Sequence, residues 1–164
     1  MFFRIISYLT FLLKSSNQHG VHSPFVYHFI TKGLYKKGMK VTVFNEYPEL
    51  IKLSNKEQKM LSKIVNYFNI DKIQFNQTAL STNLNKDCNH LLYSNIEYFN
   101  VLDLSVLNSN QFVVLHRIHQ HKNSQLKWQE IIKNKEATVT IDLFYYGLIF
   151  FRKEQAKEHF NIRA

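Results

Sequence analysis

The sequence predicts an α/β domain preceded by a helical N-terminal extension. Three observations carry this reading. Apolar residues recur at helical spacing through the first seventy positions. Phe112-Val113-Val114-Leu115 is a short apolar run bounded by Asn108-Ser109-Asn110, as a buried strand requires. Thr138–Leu143 and Gly147–Phe151 are strand-like segments separated by a tight link through Tyr145-Tyr146, which reads as a closing hairpin. With 164 residues the chain has room for one domain, or one domain and an extension. The helical extension is placed at 1–70 and a reduced α/β domain at 71–164.

Each element has a local cause. Phe2, Ile5, Ile6, Leu9, Leu12 and Leu13 share one helical stripe, so an amphipathic helix is expected to dock on the body of the protein. Gly20 suits a helix C-terminus, where a left-handed residue is wanted. Ser23 followed by Pro24 reads as an N-cap with proline at the first helical position, where its missing N–H costs nothing. The next helix carries Phe25, Val26, Phe29, Ile30, Gly33 and Leu34 on one face and fades near Gly38, and a loop holds Tyr47-Pro48. Ser54 and Glu57 form a capping box ahead of the stripe Met60, Leu61, Ile64, Val65 and Phe68. Asn69-Ile70-Asp71 ends that helix and Lys72–Phe75 is a short strand. A later helix over Ser124–Lys133 presents Trp128, Ile131 and Ile132.

Composition excludes several classes. At 45% apolar and 15% aromatic residues the chain is no disordered tail. No apolar run approaches the eighteen or more residues of a membrane span. A single cysteine, Cys88, excludes an intramolecular disulfide and a cysteine-based zinc knuckle, and with only Lys86 nearby it makes a poor nucleophile. The net charge is +9, and residues 1–45 hold six basic side chains and no acidic one. Such a chain can meet nucleic acid, an anionic membrane surface or an acidic partner, although scattered lysines also make an ordinary solvated surface. Lys14-Ser15-Ser16-Asn17 offers no cleavage site after the first apolar stretch. Cytoplasmic localisation is therefore expected, with attachment of the first helix to a membrane surface as a second option.

Three regions carry a resemblance. Asn17-Gln18-His19-Gly20-Val21-His22-Ser23-Pro24-Phe25-Val26 is similar to the N-terminal signature of a group of class I SAM-dependent methyltransferases from Bacteroidetes. Trp128-Gln129-Glu130-Ile131, Val139–Phe144 and Gly147–Phe160 resemble the C-terminal part of the same group, and Leu61–Phe68 resembles the helix before its first strand. The resemblance implies a truncated Rossmann-like methyltransferase sheet with a C-terminal antiparallel hairpin. It also implies SAM as the cofactor of any retained activity. In that family the first strand runs into an acidic residue and a glycine-rich turn. Here Phe75 stands at the acid's position, and Gln77 and Ser81, flanking Thr78, stand at glycine positions. No glycine occurs between Gly38 and Gly147.

Length leads to the same conclusion. A complete fold of this type places four βα units between Lys72 and Phe112, which needs roughly 60–70 residues. The sequence supplies 40, so about two units fit and the strand that holds the adenosine ribose is missing. Past Leu115 the family's paired aspartates are replaced by His116-Arg117, while Ile118-His119 fits. Residues Phe75, Gln77, Thr78 and Ser81 thus form a degenerate motif at which cofactor binding is not expected.

His22 and His119 remain as candidate catalytic residues. His116, His119 and His121 could approach one ion, but no acid or cysteine in their segment completes a site, and no metal is expected. His19 and His22 are read first as linker histidines. Phe144-Tyr145-Tyr146 and Phe150-Phe151 could stack bases, but on a closing hairpin they are read as core or interface. No Ser-His-Asp arrangement, P-loop or zinc motif is recognised. The expected protein is methyltransferase-like, catalytically inactive and a binding or structural remnant, with a homodimer or protein partner. The alternatives are an active SAM-dependent O-methyltransferase with a pocket completed by a partner chain, and a basic polyanion-binding module.

Overall fold

The computed structural model describes residues 2–38, 44, 46–75, 89–100, 104 and 111–164. Gln77, Thr78 and Ser81 of the degenerate motif, with Lys86, Cys88 and the turn Asn108–Asn110, lie outside the described residues. The chain packs as two compact units. One joins Met1–Ser16 to Asp71–Arg163, and the other is Asn17–Ile70. The first helix belongs with the sheet.

The Asn17–Ile70 unit is helical. Asn17 accepts a bond from His19 N–H to start a 3-10 turn over Gln18–Gly20. Gly20 does not take the left-handed conformation expected of it, for the chain leaves this turn extended at Val21. Ser23 Oγ accepts from Val26 N–H and Pro24 opens helix α2 (Pro24–His28), as capping chemistry dictates. The helix then widens to π geometry over Phe29–Leu34, closed by Tyr35 N–H to Ile30 C=O at 2.9 Å. Val26, Phe29, Ile30, Gly33 and Leu34 are buried. Tyr47-Pro48 is not loop throughout. Pro48 begins a one-turn helix α3 (Pro48–Ile51), because its fixed φ suits the first helical position. The capping box of α4 (Asn55–Tyr67) forms as read, with Leu61, Ile64 and Val65 buried and Phe29, Tyr67 and Phe68 packed ring against ring.

The other unit is built on a mixed sheet. Its strands are β1 (Lys72–Phe75), β2 (His90–Asn95), β3 (Gln111–His116), β4 (Val139–Asp142), β5 (Tyr146–Phe150) and β6 (Glu158–Asn161), in the order β1-β2-β3-β5-β4-β6. Only β5 among them runs antiparallel, inserted between β3 and β4 by the hairpin that the sequence predicts. Helix α5 (Lys122–Lys133) crosses over between β3 and β4 and lays Trp128 and Ile131 on Leu92, Val113, Leu115 and Ile149. Helix α1 (Phe2–Lys14) leads into Ser16, which bridges in parallel to Ile162 beyond β6.

The face that α1 buries is not the predicted one. Ser7 and Phe11 are buried, whereas Phe2, Ile5, Ile6, Leu9 and Leu13 are exposed. The sheet end offers Ser7 a buried hydrogen-bond partner and Phe11 a ring to pack on, as described below. Gly147 has an equally specific reason. A Cβ there would lie 2.7 Å from the ring of Trp128, which is fully buried between α5 and β5. Gly147→Ala is therefore expected to cost about 1–3 kcal/mol through overpacking, read as a lowered urea midpoint with an unchanged slope.

Candidate functional site

In α/β sheets ligands bind outside the carboxyl ends of the parallel strands. In this chain those ends carry Phe75, Asn95, His116, Asp142 and Asn161. Asp142 closes β4 and is only 2% exposed. A buried carboxylate is tolerated only when donors surround it, and three do. His119 Nε2 lies 2.7 Å from Oδ2, Trp128 Nε1 donates to the same oxygen at 3.1 Å, and Phe144 N–H donates to Oδ1 at 2.8 Å. On its other side the His119 ring meets Ser7 Oγ through Nδ1 at 2.8 Å. A carboxylate only accepts, so the Nε2 proton points to Asp142, and in the neutral ring Nδ1 accepts from the Ser7 hydroxyl.

The structure thus assembles a Ser7–His119–Asp142 row that the sequence reading did not recognise. The same three residue types serve hydrolases, where an open serine faces Nε2 and the acid faces Nδ1. Here the ring is used the other way round and Ser7 is 4% exposed, so no substrate reaches the hydroxyl. The row joins α1 to the sheet. Aromatic contacts complete the joint. Phe144 stacks on His119 at 5.1 Å and 11°, and Tyr8 and Phe11 pack on Phe144 at 4.8 and 5.5 Å. Arg4 lies over the Tyr145 ring at 5.9 Å. Phe144 holds φ at +68°, a costly conformation for a bulky residue, and its backbone bond to Asp142 and its ring contacts hold it there.

The other candidates separate. Phe75, at the end of β1, faces Tyr93 at 5.6 Å, and Tyr93 continues to Tyr146 and His116, an aromatic row where the resemblance places a cofactor acid. His116, His119 and His121 do not converge. His121 is exposed, 3.8 Å from Glu97. His22 and His19 are exposed in the helical unit. Among the described residues no group of three His, Cys, Asp or Glu could hold a metal ion. Phe144, Tyr146, Phe150 and Phe151 are buried, so their rings are not open for base stacking. A hollow of about 430 Å³ at the N-terminus of α5 is lined by Glu97, His121, Asn123, Ser124 and Lys127. Lys127 donates to the Glu97 carbonyl there, and burial pushes its ammonium pKa down against the pull of Glu130 and Glu97.

Comparison with protein-family models, curated proteins and solved structures finds no match to the chain.

Ser7 and Asp142 are the residues that sequence reasoning missed. A lone acid ending an otherwise uncharged, β-branched strand was the available signal, because such a residue must find donors when it is buried. Asp142→Ala leaves the His119, Trp128 and Phe144 donors without their acceptor, at about 1–3 kcal/mol each, and is expected to abolish cooperative unfolding. Ser7→Ala is expected to cost only about 1 kcal/mol and to raise hydrogen exchange within α1 selectively.

His159 supplies a pH dependence. It bonds Thr140 Oγ1 through Nδ1 at 2.9 Å, and burial pushes its pKa below the ordinary 6.5, against the attraction of Asp142 and hydrogen bonds at Asn161 and Thr140. The unfolded chain therefore binds this proton at higher pH than the folded one. Its contribution is complete above pH 6.5 and declines as pH falls from there to the lowered folded value. Urea midpoints measured across that window are expected to fall with pH, and His159→Gln is expected to flatten the slope.

Proposed function

We propose that the chain is a methyltransferase-like protein without methyl transfer, a reduced α/β scaffold that acts by binding or by structure. The observation that carries this reading is the occupation of the sheet's carboxyl end by the chain itself. α1, pinned through Ser7, His119 and Asp142, stands against the ends of β3 and β4, and the Phe75 ring at the end of β1 packs on Tyr93 of β2.

Topology supports it independently. A doubly wound sheet opens its ligand crevice where strand order reverses. Among the described residues the parallel strands β1, β2, β3, β4 and β6 advance in one direction only, and β1 is an edge. No reversal is present at β1 to open a crevice. The parallel strands followed by an inserted antiparallel hairpin agree with the sheet that the resemblance implies, reduced at its first edge.

Calorimetric titration with SAM and with S-adenosylhomocysteine tests the reading. No heat is expected up to millimolar cofactor. Micromolar binding of either would overturn it in favour of an O-methyltransferase with a rebuilt or partner-completed pocket.

A further inference from the structure

Helix α1 is turned inside out. At 100° per residue Ser7 and Phe11 lie on the side facing the sheet, with Arg4 and Lys14 at its margins. The opposite arc is wholly apolar, made of Phe2, Ile5, Ile6, Leu9 and Leu13, with Leu12 at its edge. A helix of a globular protein ordinarily turns such a stripe to the core. Here Phe2 is 78% and Leu13 89% exposed, and Ile5, Ile6 and Leu9 stand about half in water. Five large side chains in one exposed patch mark a surface that meets something apolar.

Length and charge identify the occupant. Thirteen residues make a helix of about 20 Å, too short for a hydrocarbon core of about 30 Å but well suited to lying along its surface. α1 holds two basic residues and no acidic one, and the whole chain carries +9. That charge draws the helix to an anionic surface and repels a second copy of the chain. We propose that α1 is an interfacial helix that lays Phe2, Ile5, Ile6, Leu9 and Leu13 into the headgroup–acyl boundary of an anionic lipid bilayer. The Ser7–His119 bond meanwhile holds its other side on the sheet. Arg4 and Lys14, both exposed beside the sheet-facing side, add positive charge close to that surface.

Vesicle flotation with the full chain tests it. Phosphatidylcholine vesicles containing phosphatidylglycerol are expected to carry the protein, less so at high salt, and pure phosphatidylcholine vesicles to carry little. Ile5→Glu combined with Leu9→Glu is expected to lower partitioning at least about tenfold. Because both positions are exposed, the thermal midpoint should stay unchanged, and Ile5→Ser with Leu9→Ser gives a second variant should the acidic pair fail to fold. Equal capture by both vesicle types would overturn the anionic preference. Absence of capture would overturn the proposal outright, as would a wild-type dimer that the double variant converts to monomer with no lipid binding.

Discussion

The sheet unit depends on one buried carboxylate. Asp142 sits at the end of β4, where water cannot solvate it, and the surroundings must supply donors instead. The three that do come from different parts of the chain. His119 follows β3, Trp128 lies in α5, and the Phe144 amide belongs to the hairpin turn. One acid therefore fixes the hairpin geometry, the seating of the crossover helix and the ring plane of His119. Through His119 it also reaches Ser7, 112 residues before that histidine, on the face of α1 that turns inward. The Ser7 hydroxyl satisfies an imidazole nitrogen that would otherwise be buried unpaired.

Features settled by neighbouring residues were legible in the sequence. The Ser54–Glu57 box, the Ser23-Pro24 cap, the strand at Lys72–Phe75 and the hairpin around Tyr145 all appear where their local chemistry places them. The strands that escaped notice are defined by partners. β2 is a buried strand whose polar ends and continuous Leu91-Leu92-Tyr93 centre show no alternation. β6 is four residues without an apolar run, and only its register with β4 makes it a strand. The site failed to read for the same reason, since Ser7, His119 and Asp142 are ordinary residues until the fold brings them together.

The resemblance and the packing bear on different questions. The proposed scaffold kinship rests on sequence alone, while the chemistry of a ligand site depends on what occupies the carboxyl ends of the strands. There the protein places rings and a helix. Phe75, Tyr93, His116 and Tyr146 form one row, and Phe144, Tyr8 and Phe11 form another around His119. The strained φ of Phe144 belongs to this joint, where the hydrogen bond and ring contacts offset a cost of about 1–3 kcal/mol.

The bridge from Ser16 to Ile162 has a consequence for synthesis. α1 is made before its seat, which is assembled from residues more than a hundred positions later, and one tie closes only when Arg163 N–H reaches Ser16 C=O. The Asn17–Ile70 unit is contiguous in sequence and has its own buried residues, so its contacts can form during translation. The sheet unit must close a loop spanning the inserted unit, a slow, non-local step. Until then the apolar arc and the Ser7 side of α1 are both unsheltered in the nascent chain, which makes this helix the segment most in need of a chaperone or a surface before folding is complete.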